Sequence, residues 1–370
     1  MNRCGKIFLS AFFLFCFLGG TVQAAPIKIG VAGAHSGDLA SYGLPTLAAV
    51  KLVARQANDA GGILGRRVEI LSEDDVCKPE IAANIAAKLV SEHVNAVIGH
   101  TCSGATRAAV GIYKAARIVT ISPSATNPAI TNGDYPNFFR TIAPDNAQAR
   151  QEVDFALNVL HLQKIAVIHD KGDYGKGLAE FVKKFIEQSG RARVVLFSGI
   201  TPGAVDYSAI VQKIKYKRAD AVIFGGYHPE ASKLVGQMRR KRLRAVFISD
   251  DGVKDDTFIK VAGKYAEGVY ATGPRDTSKN PLAKAAVAAY KKVYHQEPGA
   301  FFLNAYAATE ALLHAINMAG STDYAQVVKA LRHEYVETPL GKISFDKHGE
   351  AVGVGFAMYQ VRHGQYIEIK

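Results

Sequence analysis

The sequence predicts an α/β protein built from two doubly wound lobes, and three observations carry that prediction. Short apolar runs alternate with helix-length amphipathic segments in two successive series, a pitch that makes parallel sheets flanked by helices. At 370 residues the chain exceeds what one hydrophobic core usually supports. The runs also break into turns of small, hydroxyl-bearing residues, placed where ligands bind in such sheets, beyond the carboxyl ends of the strands. A hydrophobic content of 48% with 21% charged residues fits a globular α/β chain.

The first series opens with a strand over 27–31, a turn over 32–42 and a helix over 46–60 that stops at Gly61-Gly62. A strand over 67–71 closes in the acidic turn Glu73-Asp74-Asp75, and a helix follows over 81–93. The apolar runs 96–98 and 118–121, joined by a helix-length segment, form a βαβ unit. Its two strands end in Gly99-His100-Thr101-Cys102-Ser103-Gly104 and Ser122-Pro123-Ser124-Ala125-Thr126. These turns aim hydroxyl and free backbone N–H groups at one place, a seat for a small anion. Ala143-Pro144-Asp145-Asn146 interrupts the pattern, after which the alternation restarts. Helices over 148–160, 178–188, 209–217 and 229–240 interleave with strands over 165–169, 194–197, 221–224 and 245–248. After Thr272-Gly273-Pro274 the chain turns helix-rich, over 282–294, 302–319 and 324–333, with late strands near 343–345 and 354–361. These helices are expected to return to one lobe, making the lobes discontinuous and joined by several hinge strands.

Residues 1–24 read as a signal peptide. Arg3 and Lys6 supply the positive start, 7–18 an apolar core too short to span a bilayer comfortably, and Val22-Gln23-Ala24 a cleavage site after Ala24. A retained anchor is the alternative reading; Cys16 follows the bulky Phe15, which argues against lipidation. The mature chain is expected to be exported, soluble and without a stable membrane anchor. It keeps two cysteines, Cys77 and Cys102, whose place on adjacent strand ends in an oxidising compartment reads as a disulfide. A two-thiol metal site, the alternative, lacks histidines at ligand spacing. The net charge of +12 is spread along the chain. Its one dense run, Arg239-Arg240-Lys241-Arg242 with Arg244, falls where a helix should end and favours the helix dipole. No aromatic-interleaved basic motif points to nucleic acid.

Several chemistries fail on spacing. Gly99 to Gly104 places a histidine near a serine, but not as the elbow of a nucleophilic hydrolase. Gly30, Gly33 and Gly37 do not match a dinucleotide fingerprint. No phosphate loop or zinc motif stands out, so no catalytic residue, metal or cofactor is expected. What remains is a set of strand-end turns carrying Tyr42, Ser103, Thr126, Tyr174, Tyr227 and Asp251. Tyrosine offers an apolar wall with a polar tip, and one acid can balance an ammonium.

The chain is similar to the periplasmic leucine/isoleucine/valine-binding proteins that deliver amino acids to ABC importers. The likeness runs over essentially the whole mature chain. It is carried by 29–42, by Asn58-Asp59-Ala60-Gly61-Gly62, and by Val97-Ile98-Gly99-His100 with Cys102-Ser103. Residues 122–126, His169-Asp170-Lys171 with Tyr174-Gly175, Gly225-Gly226-Tyr227-His228-Pro229-Glu230, and Gly299-Ala300-Phe301 complete it. The resemblance implies the type I periplasmic binding protein fold: two Rossmann-like lobes with three hinge crossings near Pro144, Gly273 and Gly353. The division would be 25–144 and 274–352 for the N-terminal lobe, 145–273 and 353–370 for the C-terminal lobe. It also implies that Ser103 and Thr126 hold the ligand carboxylate. The ammonium would be held by the Ser124 carbonyl, the Thr126 hydroxyl and Asp251. Tyr42, Thr101, Cys102, Ala125, Tyr174, Tyr227 and Phe301 would form the walls, and Cys77 and Cys102 match the family's disulfide. A monomer in the periplasm with an ABC permease as partner follows. A ligand-sensing domain and an exported hydrolase are the alternatives. Two positions depart from the family pattern: Asp251 replaces a longer glutamate, and Thr101 replaces an apolar wall residue. A hydroxyl in the wall suits a smaller or more polar ligand side chain.

Overall fold

Two parallel sheets, each wrapped by helices on both faces, organise the chain, as seen in a computed structural model that describes residues 24–369. The leader assigned to residues 1–24 thus lies outside the described residues, apart from Ala24. In the first series β1 (Ile27–Gly33), α1 (Ala40–Asp59), β2 (Val68–Asp74), α2 (Pro79–Ser91), β3 (Ala96–Gly99), α3 (Ser103–Ala115), β4 (Val119–Ser122), α4 (Pro128–Thr131) and β5 (Phe138–Arg140) alternate. The five strands run parallel in the order β2-β1-β3-β4-β5. The reversal of direction between β1 and β3 creates the crevice in which doubly wound sheets bind ligands.

The second series repeats that order. α5 (Asp145–Asp154) ends in a wider turn over Phe155–Val159 and leads to β6 (Lys164–His169), α6 (Asp173–Ser189), β7 (Arg193–Gly199), α7 (Ser208–Tyr216) and β8 (Ala221–Gly225). α8 (His228–Arg240), β9 (Val246–Ser249), α9 (Asp256–Ala262) and β10 (Tyr270–Pro274) complete it. The strand order β7-β6-β8-β9-β10 mirrors the first sheet, with its reversal between β6 and β8. Strand β6 shows why both faces are covered. Ile165 and Val167 pack beneath α5 and α6, whereas Ala166 and Ile168 pack with α7, α8 and α9. A strand buried on both faces reads as a continuous apolar run.

After β10 the chain returns to the first sheet. α10 (Pro281–Tyr294), α11 (Phe302–Ala319) and α12 (Tyr324–His333) pack against α1 and the β1, β3 and β4 side chains through Phe302, Leu312, Ile316 and Val327. The strands β11 (Val336–Thr338), β12 (Gly341–Phe345) and β13 (Ala351–Val352) form a small antiparallel sheet there. The chain then passes back to the second sheet, where β14 (Phe356–Arg362) and β15 (Gln365–Glu368) add antiparallel strands beside β10. It therefore passes between the sheets three times.

Several boundaries differ from the sequence reading. Helix α1 starts at Ala40, with Pro45 inside it, so Tyr42 stands in its first turn rather than in a loop. Strand β2 runs on through Glu73 and Asp74, which pair with Ala32 and Gly33 of β1, leaving only Asp75 in the turn. Cys77 and Cys102 are joined in a disulfide with Cα atoms 5.5 Å apart. The strands they follow, β2 and β3, flank β1 rather than each other.

Candidate functional site

The carboxyl ends of β3 and β4 build one wall of an interlobe chamber. Strand β3 ends at Gly99, whose φ of 134° and approach to β1 exclude any larger residue: a Cβ there would lie 2.1 Å from the Ala32 carbonyl oxygen. The next residue, His100, is fully buried. Its Nδ1 meets Asp75 and its Nε2 meets the Tyr113 hydroxyl at 3.1 Å. Both ring nitrogens are thus engaged away from Ser103. Two serines of the β4 turn tie the strand ends together. Ser122 Oγ donates to the His100 carbonyl at 2.7 Å, and Ser124 Oγ to the Thr101 carbonyl at 2.7 Å. Cys102 precedes α3 without a side-chain hydrogen bond to it, and Ser103, the first residue of α3, is buried at the positive end of this 13-residue helix. Uncapped backbone N–H groups and a hydroxyl at a helix N-terminus suit a carboxylate without a counter-cation. The hydroxyls of Thr101 and Thr126 are buried without a hydrogen-bond partner among the described residues.

The facing wall comes from the second sheet. Tyr174 lies in the first turn of α6, which sits so close to the end of β8 that a Cβ on Gly175 would come within 2.3 Å of the Gly225 carbonyl oxygen. Tyr227 precedes α8. Asp251, just beyond β9, is 2% exposed. Its Oδ1 accepts from the Tyr174 hydroxyl and from Gln148 Nε2 at 3.0 Å. Burial pushes its carboxyl up to about 6, against the pull of those two donors.

Tyr42, Thr101, Cys102, Ser103, Ser124, Tyr174, Tyr227, Asp251 and Phe301, all named from sequence, line this chamber together with Gly252. Ala125 and Thr126, fully buried in the same turn, are not among its lining residues. The volume of the chamber is about 10 Å³, no more than one water needs. A space of that size holds no organic ligand in this conformation. Contacts across the gap hold the walls together. Tyr42 donates its hydroxyl to the Gly252 carbonyl at 2.5 Å, Ser41 meets His228 at 3.2 Å, and Asn127 Nδ2 donates to the Asp173 carbonyl at 2.6 Å. The Tyr42 ring also packs against Tyr227 and Phe301, with centroids 5.9 and 5.8 Å away.

Sequence reasoning missed a layer of acids behind Asp251. Asp145 and Glu152 of α5, together with Asp250, are fully buried. Burial pushes Asp145 up to about 8, with Asp251 adding to the rise, and holds Glu152 and Asp250 well above the usual carboxylate range. Among the described residues none of the four acids forms an ion pair. The nearest sequence signal was the Pro144-Asp145 interruption, read only as a boundary.

Comparison with known proteins agrees with this geometry. A family model described as periplasmic binding protein matches residues 26–365. A leucine-, isoleucine-, valine-, threonine- and alanine-binding protein of Pseudomonas aeruginosa is 37% identical over 359 residues, covering 97% of this chain and 96% of that one. A Leu/Ile/Val-binding protein of Escherichia coli is 35% identical, covering 97% of each chain. Among solved structures, a branched-chain amino acid transporter substrate-binding protein from Streptococcus pneumoniae, in complex with isoleucine, superposes with a TM-score of 0.84. It is 28% identical and covers 93% of this chain and 100% of that one.

Proposed function

The chain belongs to the periplasmic binding protein family, and on that premise we propose that it is the exported receptor of an ABC importer. It captures a neutral L-amino acid between its lobes, with leucine, isoleucine and valine the first candidates, and delivers it to a membrane permease. It acts as a monomer in the periplasm, after removal of residues 1–24, and binds without turnover. One observation carries the reading: an uncapped helix N-terminus with Ser103 faces the buried acid Asp251 across a tyrosine-walled chamber. A zwitterion fits that pair of opposite fields with little uncompensated charge.

In this reading the α3 N-terminus, Ser103 and Thr126 take the carboxylate. Asp251, the Ser124 carbonyl and the Thr126 hydroxyl take the ammonium. Tyr42, Thr101, Cys102, Ala125, Tyr174, Tyr227 and Phe301 surround the rest. The lobes hinge near Pro144, Gly273 and Gly353, with 25–144 and 274–352 moving against 145–273 and 353–370. The Pseudomonas relative is named for threonine and alanine as well, and the unpartnered Thr101 hydroxyl extends the expected range the same way. One methylene or hydroxyl in such a wall discriminates by only about 1–3 kcal/mol.

A thermal-shift panel of the twenty amino acids tests the function. A ligand at about 100 times its Kd adds about 2.7 kcal/mol to apparent stability. The branched-chain amino acids should give the largest upward shifts. No shift with any of the twenty overturns the amino-acid reading.

A further inference from the structure

Four carboxyl groups crowd the ammonium side of the chamber: Asp145 and Glu152 on α5, and Asp250 and Asp251 beyond β9. Each is at most 2% exposed. Three have donors: Asp251 from Tyr174 and Gln148, Asp250 from the Gly226 N–H at 2.8 Å, Glu152 from the Thr272 hydroxyl at 2.9 Å. Neither Asp145 oxygen has a hydrogen bond of full geometry among the described residues, and neither has the hydroxyl of Thr126. That hydroxyl is still close enough to pull the Asp145 carboxyl down against its burial, and the Thr126 carbonyl accepts the Asp145 N–H at 3.0 Å. Arg140 on β5, the cation whose field reaches Asp145, is committed elsewhere. Its guanidinium binds Glu350, Thr131 and the carbonyls of Ala125 and Asn127.

We propose that Asp145 and Asp251 form one acid pair for which a proton and the ligand's ammonium compete, so that capture of an amino acid expels a proton. Asp145 is then a positioning residue that acts through Thr126. The inference rests on the amino-acid reading above. Two carboxylates facing each other in a closed, dry cleft cannot both stay ionised without a cation. Burial, with the Asp251 charge adding to it and the Thr126 hydroxyl and Arg140 opposing it, leaves Asp145 at about 8; burial opposed by Tyr174 and Gln148 leaves Asp251 at about 6. An ionised Asp145 accepts the Thr126 hydroxyl proton and turns that oxygen's lone pairs toward the ammonium; a protonated one donates to Thr126 and turns them away. The other titratable groups facing the pair are Glu152 on the same helix, Asp250 beside Asp251, Tyr174 on α6 and Tyr227 on α8. Burial pushes all four upward, the same direction in which it pushes Asp145 and Asp251.

Titration calorimetry with leucine, in two buffers of different protonation enthalpy, reads the released proton directly. Affinity should climb by up to about tenfold per pH unit between about pH 6 and 8 and then level. Asp145→Asn should flatten that rise. A flat affinity with buffer-independent heat in the wild type overturns the proposal, and so does an Asp145→Asn protein that keeps the slope. Should Asp145→Asn not fold, the wild-type buffer dependence alone decides. Failure of every amino acid to bind at every pH removes the amino-acid reading and this inference with it, an outcome distinct from pH-independent binding.

Discussion

Replacing Asp251 by asparagine separates charge from shape at the site. Asparagine is isosteric, and its oxygen can keep the position that accepts from Tyr174 and Gln148. Its amide nitrogen then takes the place of the second carboxylate oxygen, in a residue that lines the chamber. The ligand's ammonium would meet a donor where it should meet an acceptor. Losing one partner of a buried, hydrogen-bonded charge pair costs about 2–5 kcal/mol. Taking about 3 kcal/mol, the Kd for leucine should rise roughly 100-fold. The ligand-free fold should not suffer, since the substitution removes a buried charge that faces Asp145 and Asp250 and keeps both existing hydrogen bonds. Calorimetry at pH 8 with a urea melt of the same samples checks both halves. A Kd within about threefold of wild type, in a protein of unchanged urea midpoint, would refute the assignment of Asp251 to the ammonium.

Other expectations follow from the same contacts. Tyr42→Phe removes the hydroxyl that donates to the Gly252 carbonyl across the cleft. It should weaken leucine binding by about three- to tenfold, chiefly through a faster off-rate, which stopped-flow tyrosine fluorescence can measure. Replacing Cys77 and Cys102 together by serine opens a loop spanned by a separation of 25 residues. The chain-entropy model puts the loss at about 3.5 kcal/mol, to be seen as a lower urea midpoint; an unchanged midpoint would show that the bridge does not stabilise the fold. Asp145 has a folded pKa of about 8, raised from its ordinary 3.8 by burial, so the folded state holds an extra proton between those values. Without ligand, the wild type should therefore lose stability relative to Asp145→Asn as pH climbs from about 4 to about 8. Urea midpoints of the two proteins at pH 5 and pH 8.5 test the sign.

The alternation of apolar runs and amphipathic segments made the two-lobed α/β architecture legible, because strands buried on both faces leave a strong local signature. Phe302–Ala319 and Tyr324–His333 match the sequence reading to the residue. The short elements were not legible. β5, β11, β13 and α4 run two to four residues and owe their form to neighbours far away in sequence. Pro45 hid the true start of α1, and the pairing of Glu73 and Asp74 with β1 overrode a composition that reads as a turn. Tyr42, Ser103, Tyr174, Tyr227 and Asp251 were legible because turns after parallel strands share one edge of the sheet, whereas Thr101, Cys102, Ser124 and Phe301 were named only through the family resemblance. Asp145, Glu152 and Asp250 escaped because their burial depends on α5 meeting β9 and β10, through Gln148 bridging Asp251 and Thr272. No local pattern encodes that meeting.

On the proposed function the two lobes contribute unequally to closure, and the asymmetry gives a ligand the means to drive it. The first lobe's wall is held by bonds made within that lobe: the disulfide, the Asp75–His100–Tyr113 chain, and the serines of the β4 turn. The second lobe brings acids with no cation to meet them, so closing it on nothing buries carboxyl groups at a cost that grows with each one ionised. An ammonium entering between the lobes removes that cost on one side while the α3 N-terminus receives the carboxylate on the other. A ligand shifts an equilibrium only by its differential interaction with the two states. Here the differential comes from the charge that the closed cleft lacks. The des-amino analogue of leucine, which keeps the carboxylate but brings no ammonium, should therefore bind far more weakly than leucine and should fail to stabilise the closed form, as a thermal-shift comparison of the two would read.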